Sequence, residues 1–520
     1  MKSSPKAPGS TVASGIVSGS RQIDSGELAL AARRMAGGLA ALGVGQGDCV
    51  AILMRNDIPF LTASYGAIAL GAFAVPVNWH FKADEVGYIL RDSGAKVLVA
   101  HADLFRAVEG AIPRGLPVLA VETPPEIVAI YGIDPVDAQV PDNTDEFATW
   151  LAAQTPYEGP PPLPTLSMIY TSGTTGHPKG VRRRAMEPEA EKAMDAIRNL
   201  VFGMEPGCRT AVTGPLYHAA PNAFGLRAGK MAKRLVLMPR FEAEEMLQLI
   251  EHERIDTLFM VPTMFVRLLK LPEAVRRKYD VSSLRHVIHA AAPCPSEIKR
   301  AMIDWWGPVI YEFYGSTESG PVTFVSSLEA LKKPGTIGRV APGAEIKILG
   351  EDRRDLSPGE IGEIYSRIAA YPDFTYHNLP EKRREVEHDG FITSGDVGYF
   401  DEDGYLFLCD RKRDMVISGG VNIYPAEIEA ALLTMPSIAD CAVFGVPDDE
   451  YGETLMAVIE PVSGASVDIA QIRAELTQKL ANYKVPKTIE LSTSLPREDS
   501  GKIFKRRLRD PYWEGVRRRI

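Results

Sequence analysis

Apolar and polar positions in the first hundred residues switch repeatedly between helical and strand periods. Leu28–Leu42 carries a helical pattern, opened by Asp24-Ser-Gly-Glu27 as cap and early acid and closed by Gly43. Asp48–Leu53 reads as a strand, Pro59–Leu70 as a helix, Ala72–Val77 as a strand, Ala83–Arg91 as a helix and Lys96–Ala100 as a buried strand. Such alternation builds βα units and a mainly parallel sheet with helices on its faces. The pattern resumes with strands at Arg209–Thr213, Leu235–Met238, Thr257–Val261 and His286–His289, separated by helices such as Ala243–His252 and Pro295–Trp305. A second α/β layer follows from it. Proline-rich Pro160–Pro164 is then a surface connection inside one domain.

The pattern changes after Gly335. Short strands at Glu345–Leu349, Gly362–Ser366 and Tyr405–Leu408 alternate with Gly, Pro and Asp-Gly turns, which predicts a small β-rich subdomain over about 335–410. A charged knot, Arg411-Lys-Arg-Asp414, follows Asp410. Beyond it come a strand, a helix, two strands and a helix, at Met415–Ile417, Ala426–Leu433, Ile438–Val446, Leu455–Glu460 and Ile469–Leu480. The predicted class is α/β. A large N-terminal domain, 1–410, holds two α/β layers and the β-rich subdomain, and a small α+β domain occupies 411–520.

Composition changes this picture little. A chain of 520 residues exceeds one typical core, in line with two or more domains. A net charge of −9 argues against a nucleic-acid partner. Five scattered cysteines without a C-x-x-C pair point to a reduced, cytoplasmic setting without structural zinc. No apolar run reaches transmembrane length, and the polar start Met1-Lys-Ser-Ser-Pro-Lys lacks the apolar core of a signal peptide.

The chemistry begins at Tyr170-Thr-Ser-Gly-Thr-Thr-Gly-His-Pro-Lys-Gly180, after an apolar run (Leu166–Tyr170) that reads as a short buried strand. Gly173, Gly176 and Gly180 let the backbone turn tightly and bring N–H groups to a polyanion. Thr171, Ser172, Thr174 and Thr175 add hydroxyl donors, and Lys179 a mobile ammonium. These are the means of holding a nucleoside triphosphate. The spacing is not that of a Walker A loop, and a flexible Ser/Thr/Gly linker is the plain alternative.

Downstream, Tyr311-Glu-Phe-Tyr-Gly-Ser-Thr-Glu318 follows a strand expected to end near Ile310. An aromatic ring beside Gly315 can face a purine, Thr317 can reach phosphate, and Glu318 is a hard oxygen ligand suited to Mg²⁺. Thr393-Ser-Gly-Asp-Val-Gly398 is expected to place Asp396 in a tight turn, where an acceptor-only carboxylate suits two ribose hydroxyls, or simply satisfies its own backbone.

Taken together and in this order, the motifs resemble the adenylate-forming superfamily of acyl-CoA synthetases, aryl-CoA ligases, peptide-synthetase adenylation domains and luciferases. The resemblance runs from about residue 40 to 510. It implies that Tyr314 stacks on adenine beside Gly315 and Ala291, that Thr317 contacts the α-phosphate, and that Glu318 holds Mg²⁺. Asp396 and Arg411 would reach the ribose, and Ser172, Gly173, Thr174, Thr175 and Gly176 the phosphates. Arg413 stands at the family's hinge, where Lys or Asp is usual, so the C-terminal domain becomes a mobile lid. Lys502, in Ser-Gly-Lys, matches the lysine that swings in to the carboxylate and α-phosphate, while Gly419 and Gly420 would let a pantetheine chain pass.

His218 in Pro215-Leu-Tyr-His matches the histidine that gates the acyl site, although a lone His beside a strand end is commonly only packed. Ala219, Phe224, Met264, Ala290 and Ala292 would line the acyl pocket, with alanine at 290–292 where the family has glycine and the pocket narrowed there. This largely apolar wall favours a fatty acid or, alternatively, an aryl acid over a charged one. The implied partners are a carboxylic acid, ATP with Mg²⁺, and coenzyme A. A carrier protein in place of coenzyme A, a luciferase-type oxygenase, and a homodimer stay open.

Overall fold

The computed structural model describes residues 14–171, 178–419, 421–497 and 503–514. The chain forms two compact units, Met1–Ser167 with Phe202–Phe259 and Leu271–His286, and Met168–Val201 with Met260–Lys270 and Val287–Ile520.

The first unit contains the predicted βα alternation. Phe73–Pro76, Cys49–Leu53, Ala95–His101, Val118–Val121 and Asp145–Glu146 lie in that order in an all-parallel sheet. Cys49–Leu53 is buried along its whole length, as a strand covered by helices on both faces must be. The first helix, Ser25–Ala41, starts where the cap signal placed it: Asp24 accepts from the Glu27 N–H while Glu27 returns a bond to the Asp24 N–H. A second parallel group of Thr257–Met260, Arg209–Val212, Arg234–Leu237 and Gly15–Ser18 is edged by antiparallel Arg21–Ile23.

A buried polar knot ties the entry strand to the helices. The fully buried Asp57 carboxylate caps the helix Ile58–Ala69, receives the Arg21 guanidinium at 2.7 Å, and lies 3.2 Å from His101 Nε2. The Arg55 N–H donates to His101 Nδ1, so the imidazole proton sits on Nε2 and points at Asp57.

The second unit is built on a long sheet. Among its strands the order is Ala344–Leu349, Gly362–Ile368, Phe391–Phe400, Leu406–Arg411, Thr336–Val340, Gly320–Val325, Ile310–Ser316 and His286–His289. The short strands after Gly335 thus continue the sheet that carries Ile310–Ser316, through Thr336–Val340 beside Gly320–Val325. A separate three-stranded sheet has Lys179–Arg183 between Ile169–Thr171 and Phe374–Tyr376. Toward the C-terminus Val421–Ile423, Val416–Ser418, Gly452–Pro461 and Ile438–Asp448 form another sheet, with Thr488–Leu491 alongside Gly452–Pro461. Helices Pro425–Leu433 and Ile469–Lys479 pack Ile428, Leu432, Ile472 and Leu476 into a core of its own with Val443, Ala457 and Ile459. The architecture is the mixed α/β one expected, with a large N-terminal part and a smaller α+β part at the C-terminus.

Three local expectations are corrected. The strand before the phosphate loop is only Ile169–Thr171 and is half-buried, because it is an outer strand of a three-stranded sheet. Asp396 lies within the strand Phe391–Phe400 rather than in a turn; Gly395, at φ +77°, kinks that strand without ending it. The strand expected to end near Ile310 begins there and runs through Tyr314 to Ser316, which alternation around an aromatic run did not show.

Burial opposes ionisation of Asp57, but His101 and Arg21 outweigh it and hold the carboxyl below its usual range. Its stabilising share is therefore complete above the unfolded-state carboxyl pKa, about 4, and is lost as pH falls below it. Asp57→Asn should cost about 2 kcal/mol at pH 7, less than a fully buried pair because Arg21 is partly exposed. Denaturant unfolding of both proteins should show a constant gap down to about pH 4 that narrows below it.

Candidate active site

The second unit gathers most of the residues expected at the nucleotide. Lys179 opens the middle strand of the three-stranded sheet, and Thr171 pairs with it across the hairpin, its hydroxyl 3.5 Å from the Lys179 carbonyl. The intervening Ser172, Gly173, Thr174, Thr175 and Gly176 lie outside the described residues. On the other side of Lys179–Arg183, Tyr376 pairs with Val181. The Lys179 ammonium sits 5.1 Å above the Tyr376 ring, and the Tyr376 hydroxyl donates to Glu318 Oε1 at 3.0 Å.

Glu318 and Thr317 occupy a turn between antiparallel strands Ile310–Ser316 and Gly320–Val325. Ser316 builds it: its hydroxyl accepts from the N–H groups of Glu318 and Ser319 at 3.2 and 3.0 Å. Gly315 has no substitute, since a Cβ there would lie 1.9 Å from the Gly320 carbonyl oxygen. Buried Arg183 donates to the carbonyls of Thr317 (2.7 Å), Glu318 and Pro372 (2.6 Å), with its guanidinium over the Tyr371 ring at 4.0 Å.

The nucleoside-binding candidates also converge. Tyr314 donates its hydroxyl to Asp396 Oδ2 at 2.7 Å, and Ser394 donates to the same oxygen at 2.9 Å. Asp396 is the cross-strand partner of Arg411, whose Nε lies 3.4 Å from Oδ1. Burial, and then the Asp396 charge, push the Tyr314 phenol far above its usual range, so it acts only as a neutral donor. Ala291 follows the strand His286–His289 as an exposed residue at φ +77°, a backbone state that L side chains disfavour. The alanine found where the resemblance has glycine is thus conformationally strained. Ala290 is buried and Ala292 exposed.

Other expected residues are dispersed. His218, Ala219 and Phe224 belong to the first unit; His218 is the N-cap of the helix Ala219–Met231, with its ring 4.4 Å from Tyr217, and Phe224 is buried against Phe202. Met264 is in the second unit, buried on the short helix that also carries Phe265, whose ring lies 5.2 Å from buried His289. Arg413 is part-exposed beside Asp414 at 3.9 Å. Gly419 has φ +57°, and its N–H donates to the Tyr451 carbonyl. Gly420 and Lys502 lie outside the described residues. Just beyond the latter, Lys505 pairs at 2.7 Å with half-buried Glu429, whose carboxyl desolvation pushes upward.

Sequence reasoning missed Arg183, Tyr376 and Ser316. Only Ser316 carried a local signal, as a hydroxyl two residues before Glu318. Arg183 lies in the basic run Arg182–Arg184, and Tyr376 lies far along the chain from the residues it meets.

Comparison with known proteins gives the family. The AMP-binding enzyme model matches residues 3–370, and the AMP-binding enzyme C-terminal domain model matches 427–502. The chain belongs to the AMP-binding enzyme family. It is an adenylate-forming enzyme of the AMP-forming acyl-CoA synthetase type. Feruloyl-CoA synthase of Amycolatopsis sp is 34% identical over 501 residues, covering 93% of this chain and 92% of that protein. Long-chain-fatty-acid–CoA ligase FadD13 of Mycobacterium tuberculosis is 33% identical over 484 residues, covering 92% and 91%. Among solved structures, ATP-bound MatB from Rhodopseudomonas palustris superposes with a TM-score of 0.81 at 26% identity, covering 97% of each chain.

Ala291→Gly releases the strained backbone and is expected to raise stability by about 1 kcal/mol, against the usual penalty for adding glycine. Paired thermal melts of the two proteins check the sign.

Proposed function

We propose that this protein is a carboxylate–CoA ligase acting on an apolar acid, most simply a fatty acid, by way of an acyl-adenylate. The observation that carries the reading is the convergence of two sets of groups within the second unit. Tyr314, Asp396 and Arg411 form a nucleoside end, and Lys179, Thr317 and Glu318 a phosphate end.

In the first step a carboxylate oxygen of the acid attacks the α-phosphorus of ATP. The α–β phosphoanhydride bond breaks, pyrophosphate leaves, and an acyl-adenylate remains. In the second, a thiol adds to the acyl carbonyl and gives its proton to solvent, and AMP departs with the electron pair of the broken C–O bond. Both steps need positioning and charge stabilisation more than a dedicated base. Lys179 neutralises phosphate charge in this scheme and Thr174 offers a hydroxyl donor to it, while Lys502 serves the first step and must leave before the thiol enters. Residues 411–520 would be the lid that carries it, turning about Arg413, with Gly419 and Gly420 beside the incoming pantetheine.

The fit to Mg²⁺ rests on Glu318. It is a partly buried carboxylate whose Oε1 accepts from Tyr376, and among the described residues Oε2 has no hydrogen-bond or ion-pair partner. Glu318 would hold the metal together with the phosphates, and the ion would offset their charge when bound.

An apolar acid fits the uncharged side chains assigned to it, Ala219 and Phe224 beside His218 in the first unit and Met264, Ala290 and Ala292 in the second. The same apolar wall suits an aryl acid, and the likeness to a feruloyl-CoA synthase favours that as the second reading. The five cysteines, all free, fit a cytoplasmic setting.

Thioester formation from MgATP, coenzyme A and a panel of fatty, cinnamic and amino acids, read by mass spectrometry, tests this reading. A CoA thioester peaking on a fatty acid supports it, and a peak on cinnamic acids moves the substrate to the aryl class. Adenylate without CoA thioester would instead assign a carrier-protein acceptor. Arg413→Pro is expected to lower overall thioester formation at least about 10-fold while leaving acid-dependent pyrophosphate exchange within about twofold, since only the second half-reaction needs the rotation.

A further inference from the structure

Lys179 and Glu318 both touch one side chain. The ammonium lies over the face of the Tyr376 ring, and the carboxylate is bonded to its hydroxyl. The ring therefore separates two opposite charges that would otherwise be free to pair. An ion pair between them would occupy both the phosphate-binding cation and the metal-binding anion. Tyr376 is fixed in turn: its strand is paired with Lys179–Arg183, and it is buried with Val181, Phe374 and Ile392.

The turn that carries Glu318 is held independently. Arg183 spends its fork on the carbonyls of Thr317, Glu318 and Pro372, and its planar cation is stacked on Tyr371 and lies 5.5 Å from the Phe374 ring centre. Tyr371 also abuts Gly320, where a Cβ would meet its ring at 3.0 Å. A lysine at 183 could not reproduce this fork, because an ammonium is a point charge without planar donors.

We infer that Tyr376 and Arg183 are positioning residues for the nucleotide–metal site: Tyr376 fixes one carboxylate oxygen of Glu318 and keeps Lys179 from pairing with it, while Arg183 fixes the backbone that presents Glu318. This rests on the nucleotide-site reading above and adds residues outside its motifs. Neither side chain is given contact with substrate. The closing of a carboxylate's second oxygen on a metal depends on how its first is held, and losing such an outer partner typically weakens metal binding 10- to 100-fold.

The test is calorimetric binding of α,β-methylene-ATP at graded Mg²⁺ concentrations to wild type, Tyr376→Phe and Arg183→Lys, with melting temperatures alongside. Tyr376→Phe retains the ring and the fold, so its melting temperature should stay within about 2 °C, while half-maximal binding should need about 10-fold more Mg²⁺. Saturating Mg²⁺ should restore its affinity for the analogue. Arg183→Lys should weaken binding at every Mg²⁺ level, since the turn itself is displaced. A Mg²⁺ requirement for Tyr376→Phe within twofold of wild type overturns the inference. Failure of the wild type to bind the analogue at any Mg²⁺ level would instead overturn the nucleotide-site reading, and the inference with it.

Discussion

The pairing of Lys179–Arg183 between two short strands is the constraint on which the proposed phosphate end of the site depends. One neighbour, Ile169–Thr171, pairs antiparallel with it and precedes the glycine- and hydroxyl-rich sequence. The other, Phe374–Tyr376, comes from nearly two hundred residues away and brings an aromatic ring under Lys179. Because side chains alternate along a strand, Val181 and Arg183 share a face of this small sheet, and Arg183 reaches the turn that presents Glu318. A sheet of three short strands has little stability by itself. Its burial of Val181, Phe374 and Tyr376 with Ile392 anchors it to the long sheet, where Asp396 and Arg411 stand.

The proposed nucleoside end obeys a different logic. Tyr314, Asp396 and Arg411 sit on strands of one sheet, so their spacing is set by register rather than by loop conformation. A buried Asp within a strand needs donors for its oxygens, and Tyr314, Ser394 and Arg411 supply them. The same donors make it a rigid acceptor. Gly395 and Gly315 give the strands the local freedom this needs, one through a positive φ and the other through an approach too close for any side chain.

Legibility of the sequence followed contact distance along the chain. The cap at Asp24 and the buried parallel strands were readable because their signals are local: a side chain three residues from its partner, or a continuous apolar run. The motif around Tyr314, Gly315, Thr317 and Glu318 was readable for the same reason, although its strand was placed one element too early. Asp396 was expected in a turn because its flanking glycines mimic one, and only the pairing with Leu406–Arg411 reveals the strand. Arg183 and Tyr376 left no trace, since an arginine in a basic run and a tyrosine in a short strand acquire their meaning from tertiary neighbours. The strain at Ala291 was likewise hidden, for the residue type alone says nothing of φ.

The account stands or falls on adenylation of a carboxylic acid. The most direct measurement is acid-dependent exchange of labelled pyrophosphate into ATP by the purified protein, with Mg²⁺ and without coenzyme A. Exchange that requires both the acid and Mg²⁺, and that is lost in Asp396→Ala, is the predicted result. ATP turnover that proceeds equally without any acid, or that releases phosphate in place of pyrophosphate, would contradict it.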